Sequence, residues 1–158
     1  MVPNVVSRRR TLSTLAVVLI VTGCSGIKSQ TNSYATLAEA QQAGAIKNQW
    51  MPEGLPPGSH DIREGHVPGT PQRWGLFEYP HAEEGVLRAL LQPEEIAADR
   101  QRCDVPARVE WWPLLLRGQL DGSRVAATGL RVYRAKAGDL RFAVNWNQGR
   151  AYYWSPID

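Results

Sequence analysis

Histidine, cysteine, methionine and phenylalanine are all scarce in this chain of 158 residues, which holds 3, 2, 2 and 2 of them. Three histidines leave little material for a histidine-rich metal centre. One cysteine beyond position 24, Cys103, cannot close an internal disulfide. No Gly-x-Ser-x-Gly elbow is present, and Cys103 has no histidine partner by motif, so nucleophilic hydrolysis finds no footing. There is no internal repeat and no low-complexity tract. The net charge of +3 comes entirely from Arg8, Arg9 and Arg10; beyond Gly23 there are 15 basic and 15 acidic residues. A near-neutral body excludes a nucleic-acid partner read through a basic patch.

Acidic residues are also missing before Glu39. The three arginines precede Leu12 to Val21, an apolar run of about ten residues, well short of the roughly 20 a spanning helix needs. A basic start, a short apolar stretch and small residues after it make an export signal over residues 1–23. The signal ends in Val21-Thr22-Gly23-Cys24, which resembles the bacterial lipobox. In that chemistry the Cys24 thiol takes a diacylglycerol, the small residues admit the signal peptidase, and the new amino terminus is acylated (palmitate-type chains). Two or more acyl chains hold a protein stably on a membrane. Ser25 after the cysteine, where aspartate would signal retention, is the pattern sorted to the outer membrane, facing the periplasm. Ser7-Arg8-Arg9-Arg10-Thr11-Leu12 resembles a twin-arginine export motif with Thr11 in place of the usual aromatic, and the general route accommodates the same start.

Residues 24–34 are short, polar and without hydrophobic period, and read as a lipidated tether. Residues 35–158 then form one domain. Thr36-Leu-Ala-Glu39 has the form of a capping box, predicting a helix over 36–46. From Trp50 to Pro71 five prolines and four glycines exclude a long regular element, with one helical turn expected at Ser59–Glu64. Arg73–Tyr79 alternates as a strand, and Glu83–Leu91 reads as a second helix with acidic residues at its positive end. Val109–Leu116 is bulky and buried, either strand then turn or a short helix after Pro113. The last third reads as an antiparallel meander with one wet face: Leu140, Phe142, Val144 and Trp146 point one way, and Arg141, Ala143 and Asn145 the other. The expected architecture is α+β: an antiparallel sheet of about four strands with two or three helices, after a lipoprotein signal peptide.

Several of these stretches occur together in a known pattern. Tyr34 to Glu39, Gly44-Ala-Ile46, Trp50-Met-Pro52, Leu55-Pro-Pro57, Ile62-Arg-Glu-Gly-His66 and Trp74-Gly-Leu-Phe77 resemble the YbbD-like head domain of uncharacterised bacterial lipoproteins and membrane-associated proteins. Trp111-Trp-Pro113 and Gly149-Arg-Ala-Tyr-Tyr-Trp154 are similar as well, so that the resemblance spans almost all of the mature chain. It implies a fold and an envelope location, and brings no catalytic residue with it.

Among candidate sites, His60, Asp61, Glu64 and His66 are metal-competent, and imidazole with carboxylate suits zinc. Their spacing matches no closed site, and capping by Ser59 or Asp61 explains the same residues. Six tryptophans and five tyrosines point instead to binding. Tyr152 and Trp154 share one face of the last strand and Tyr153 takes the other, so exposure of an aromatic follows if only one face is core. Trp50 and the proline-rich loop after it form a second candidate surface. The reading is therefore a lipid-anchored, non-catalytic envelope module without cofactor, partnered by the membrane through Cys24 and by an envelope protein or glycan. A metal-dependent or hydrolytic enzyme using His60, Asp61, Glu64 and His66 is the alternative.

Overall fold

Thr36 opens the first helix as its pattern demands. Its hydroxyl accepts from the Glu39 amide at 3.3 Å, and the Glu39 carboxylate accepts from the Ala35 amide at 2.9 Å. The computed structural model describes residues 28–156, so the export signal and Cys24 lie outside the described residues. Helix α1 runs Leu37–Gln42 and buries Leu37 and Ala40. It is shorter than expected because the chain breaks into successive turns from Ala43 to Gln49.

The sheet corrects the fold expectation most. Instead of about four strands, seven antiparallel strands form one sheet, and the helices are small additions to it. Its strands are β1 (Gln30–Thr36), β2 (His60–His66), β3 (Arg73–Glu78), β4 (Leu91–Glu95), β7 (Arg131–Ala135), β8 (Arg141–Asn145) and β9 (Arg150–Trp154). Their order is β1-β2-β3-β9-β8-β7-β4. Two short strands, β5 (Arg102–Cys103) and β6 (Gly118–Gln119), pair separately.

Each unforeseen strand has a physical reason. β1 takes residues 30–34 from the stretch whose polarity reads as tether; it is an edge strand, exposed except at Tyr34, and needs no apolar period. β2 replaces the helical turn expected at Ser59–Glu64, since ladders to β1 and β3 satisfy its backbone on both sides. β4 carries Pro93, which an edge strand tolerates.

Directly paired residues share a face, so the register sorts the side chains into two cores. The front core holds Ile62, Phe77, Tyr153, Phe142 and Val144, covered by α1, the loop through Met51 and Leu55, and helix α2 (Glu84–Leu90) with its buried Leu87. The back core holds Trp74, Trp154, Tyr152, Val132 and Ala143, covered by Cys103, Val109, Trp112, Leu116 and helix α3 (Gly122–Ala127) through Val125. The single wet face expected of the meander is therefore absent. Ala143 and Asn145, assigned to solvent, are buried because residues 96–130 fold across them. Val109–Leu116 resolves as a short three-ten turn, Leu114–Leu116, entered through Pro113. Among the described residues, no helix is long and apolar enough to cross a membrane.

Candidate functional site

The register of β2 divides the four metal-competent residues. Ile62, Glu64 and His66 alternate onto the front face, whereas a bulge between His60 and Arg63, with Asp61 at φ 48°, turns the preceding pair away. His60 lies near Asp61 at 3.9 Å and Glu78 at 3.8 Å, so the acid that joins it is from β3, not Glu64. Ligand-capable atoms of His60, Asp61 and Glu78 fall within 4.8 Å of one another. Glu78 is already occupied by the Arg150 guanidinium, which neutralises its charge. His60, Asp61, Glu64 and His66 do not converge on one point, so this structure offers no four-residue metal centre from them.

Glu64 and His66 make a different arrangement. Glu64 is fully buried and His66 nearly so. One Glu64 oxygen accepts from the Asn32 amide at 2.5 Å, and the other lies 3.1 Å from His66 Nδ1. The imidazole stacks face to face on the Trp50 indole, with centroids 4.2 Å apart and an 8° interplanar angle. Above them the Tyr153 hydroxyl donates to the Trp50 carbonyl at 3.1 Å. Gly75, opposite Glu64, makes room for this: a Cβ there would fall on the Tyr153 phenol. Burial first, and the Glu64 charge second, push the ionisation of Tyr34 and Tyr153 upward, so both phenols stay neutral around the carboxylate. Fully buried and paired through both oxygens, this carboxylate holds its neighbours in place.

The candidate binding aromatics are placed just as definitely. Tyr152, Tyr153 and Trp154 are all core residues, at 9, 0 and 1 % exposure. They offer no stacking surface, because both faces of β9 are covered; the Trp154 indole donates inward to the Arg102 carbonyl at 3.0 Å. Trp50 is half-buried and committed to His66 and Tyr153. Cys103 is buried, and burial pushes its thiol ionisation up, so it is an inert core thiol.

The recess that sequence reasoning missed lies beside this cluster. A cleft of about 470 Å³ opens between the turns around Met51, α2 and the β7–β8 hairpin. Met51, Leu90, Leu140 and Phe142 give it an apolar floor, and Arg73, Lys136 and Glu53 stand around it. Arg73 donates to the Gln49 carbonyl at 2.5 Å, while its buried Nε has no hydrogen-bond partner. Arg73 and Lys136 take part in no ion pair among the described residues. Nearby, Arg88 lies 3.9 Å over the half-buried Trp146 ring. No single segment announces this cleft, since its walls come from four separated stretches of chain.

The segment that builds β1, α1, β2 and β3 also has a family match. Residues 28–78 match the model of the YbbD head domain. This stretch is YbbD-like. The match takes in Asn32, Trp50, Glu64 and His66, so the buried polar cluster lies almost wholly within the YbbD-like segment, completed by Tyr153 from β9. The later motifs around Trp111 and Gly149–Trp154 lie beyond the matched residues. No curated protein and no solved structure matches the chain.

Proposed function

We propose that this YbbD-like protein is a lipid-anchored module of the bacterial envelope, carried on the outer membrane by acylated Cys24 and facing the periplasm. Its role there is to bind another envelope component without chemistry of its own. The lipobox Val21-Thr22-Gly23-Cys24 supports the anchor. The cleft carries the binding reading, because it joins an apolar floor to Arg73 and Lys136, which outnumber the one acid there, Glu53, and form no ion pair among the described residues. An envelope protein presenting apolar residues beside a carboxylate suits it better than a glycan, since the aromatics that would stack on a sugar are in the core.

The test is capture from detergent-solubilised envelope with the intact lipoprotein. A single stoichiometric protein partner is expected, lost when Ala89→Trp fills the cleft from exposed helix surface and retained in a Glu94→Gln control on β4. Undiminished capture by Ala89→Trp would exclude the cleft. Cys24→Ala should release the protein from the membrane fraction, and a wild-type chain already free of that fraction would remove the anchor.

A further inference from the structure

The segment after Cys103 carries one large apolar side chain that no core covers, beside a tryptophan that the back core covers only in part. Leu114 is 84 % exposed, far more than the other large exposed hydrophobic among the described residues, Val86 at 39 %. It sits on the three-ten turn after Trp111-Trp112-Pro113. Trp112 turns inward, donating to the Leu116 carbonyl at 2.7 Å and packing edge-on against Tyr152. Trp111 remains half-buried, its ring edge-on to Trp112 with centroids 6.0 Å apart.

This loop is held rigidly. The Arg117 guanidinium donates to the carbonyls of Val105, Pro106, Val109 and Trp112, at 3.2, 2.8, 2.5 and 3.2 Å. A cation spent on four backbone oxygens fixes the path of residues 105–112 and so the place of Trp111.

Its position relative to the anchor gives it meaning. A groove of about 260 Å³ is lined by Ser29, Thr31, Arg108, Val109, Glu110 and Trp111, which brings the start of β1 against this loop. Ser29 follows Cys24 by five residues, a reach of at most about 17 Å in extended chain. A bilayer holding Cys24 therefore lies within that reach of the groove in which Trp111 stands, with exposed Leu114 three residues further along the same loop. Tryptophan favours the headgroup level of a bilayer, leucine the acyl boundary, and exposed Lys28 and Arg108 suit lipid phosphate, with Glu110 the one opposing charge in the groove.

We infer that Trp111 and Leu114 rest in the headgroup region of the same membrane that holds Cys24, so that the domain is docked on the bilayer in a fixed orientation. The inference rests on the lipidation of Cys24 proposed above. Docking on this edge turns the opposite edge strand, β4, away from the membrane by about six strand spacings, roughly 29 Å.

The experiment uses the full lipidated protein in vesicles of phosphatidylethanolamine and phosphatidylglycerol with brominated acyl chains. An environment-sensitive fluorophore is attached at Leu114→Cys or, as control, at Glu94→Cys on β4. Both positions are exposed, so the substitutions spare the core, and buried Cys103 does not compete for label. Blue-shifted, largely quenched emission at position 114 with unquenched emission at 94 is the expected result. Vesicle-bound protein with position 114 unquenched, or with 94 quenched instead, overturns the docked orientation while leaving the anchor standing. A wild-type chain that fails to float with the vesicles removes both.

Discussion

The two faces of the sheet bury similar numbers of aromatic rings but treat polarity differently. The back core is apolar except for Asn145, which donates to the Thr128 carbonyl, and Trp74, Trp112 and Trp154 are its largest buried side chains. The front core admits a carboxylate and an imidazole and leaves a cleft beside them. The difference lies in what each cover is made of. Behind the sheet, the clamped loop and α3 close over bulky indoles. In front, the proline-rich turns between α1 and β2 bring Trp50 over His66 and Met51 to the cleft, so one cover builds both features. A buried polar pair adds little net stability over an apolar replacement but fixes which groups meet. The front is thus the face where position matters more than packing energy.

That contrast can be broken from either side. Glu64→Ala should destabilise the fold by about 3–5 kcal/mol, because His66 and Asn32 lose their buried acceptor. The double variant Glu64→Met with His66→Leu should recover most of the loss by urea titration; a double variant as unstable as the single would show that the pair contributes net stability. On the back, Trp112→Ala should cost about 3–5 kcal/mol through the cavity left beside Tyr152, and no second substitution at a polar partner should restore it.

Smaller effects sharpen the picture. Arg117→Lys keeps the charge but loses the planar fork, and should cost about 1–3 kcal/mol with faster amide exchange confined to residues 105–112. Unchanged exchange there would mean that the loop stands without its clamp. The smallest effect is alkaline. Tyr79 is pushed up to about 12 by burial, then by Glu84, and Tyr153 is also raised, so the native state favours the neutral phenols. Their contribution is complete below the ordinary tyrosine value of about 10 and is lost as pH rises through the native values. The urea midpoint should therefore hold level up to about pH 10 and fall above it, with Tyr153→Phe flattening the fall; a midpoint unmoved at high pH would contradict the shifts.

How much of this was legible in the chain depends on where pattern and environment agree. The β7–β9 meander was readable because Leu140, Phe142 and Val144 alternate and Asn147-Gln-Gly149 supplies turn chemistry. The α1 cap was readable because it is local. β1 was hidden by its polar edge sequence, and β2 by a buried glutamate and histidine where alternation calls for apolar residues. The split of His60 and Asp61 from Glu64 and His66 depends on one bulge, which spacing alone does not reveal. The burial of Tyr152 and Trp154 depends on a cover supplied by residues from Cys103 to Val125, far earlier in the chain. The grip of Arg117 on four carbonyls has no local signature in the sequence, since its acceptors lie 5 to 12 positions earlier on an irregular loop.

The edge position of β1 has a mechanical side. If Cys24 is held in a membrane, a pull on that anchor enters the sheet through Gln30, the first residue of that strand. The β1–β2 ladder runs antiparallel from Gln30↔His66 to Thr36↔His60, with hydrogen bonds perpendicular to the strands. A tug along the strand axis loads these bonds together in shear, whereas a tug away from the sheet opens them one after another.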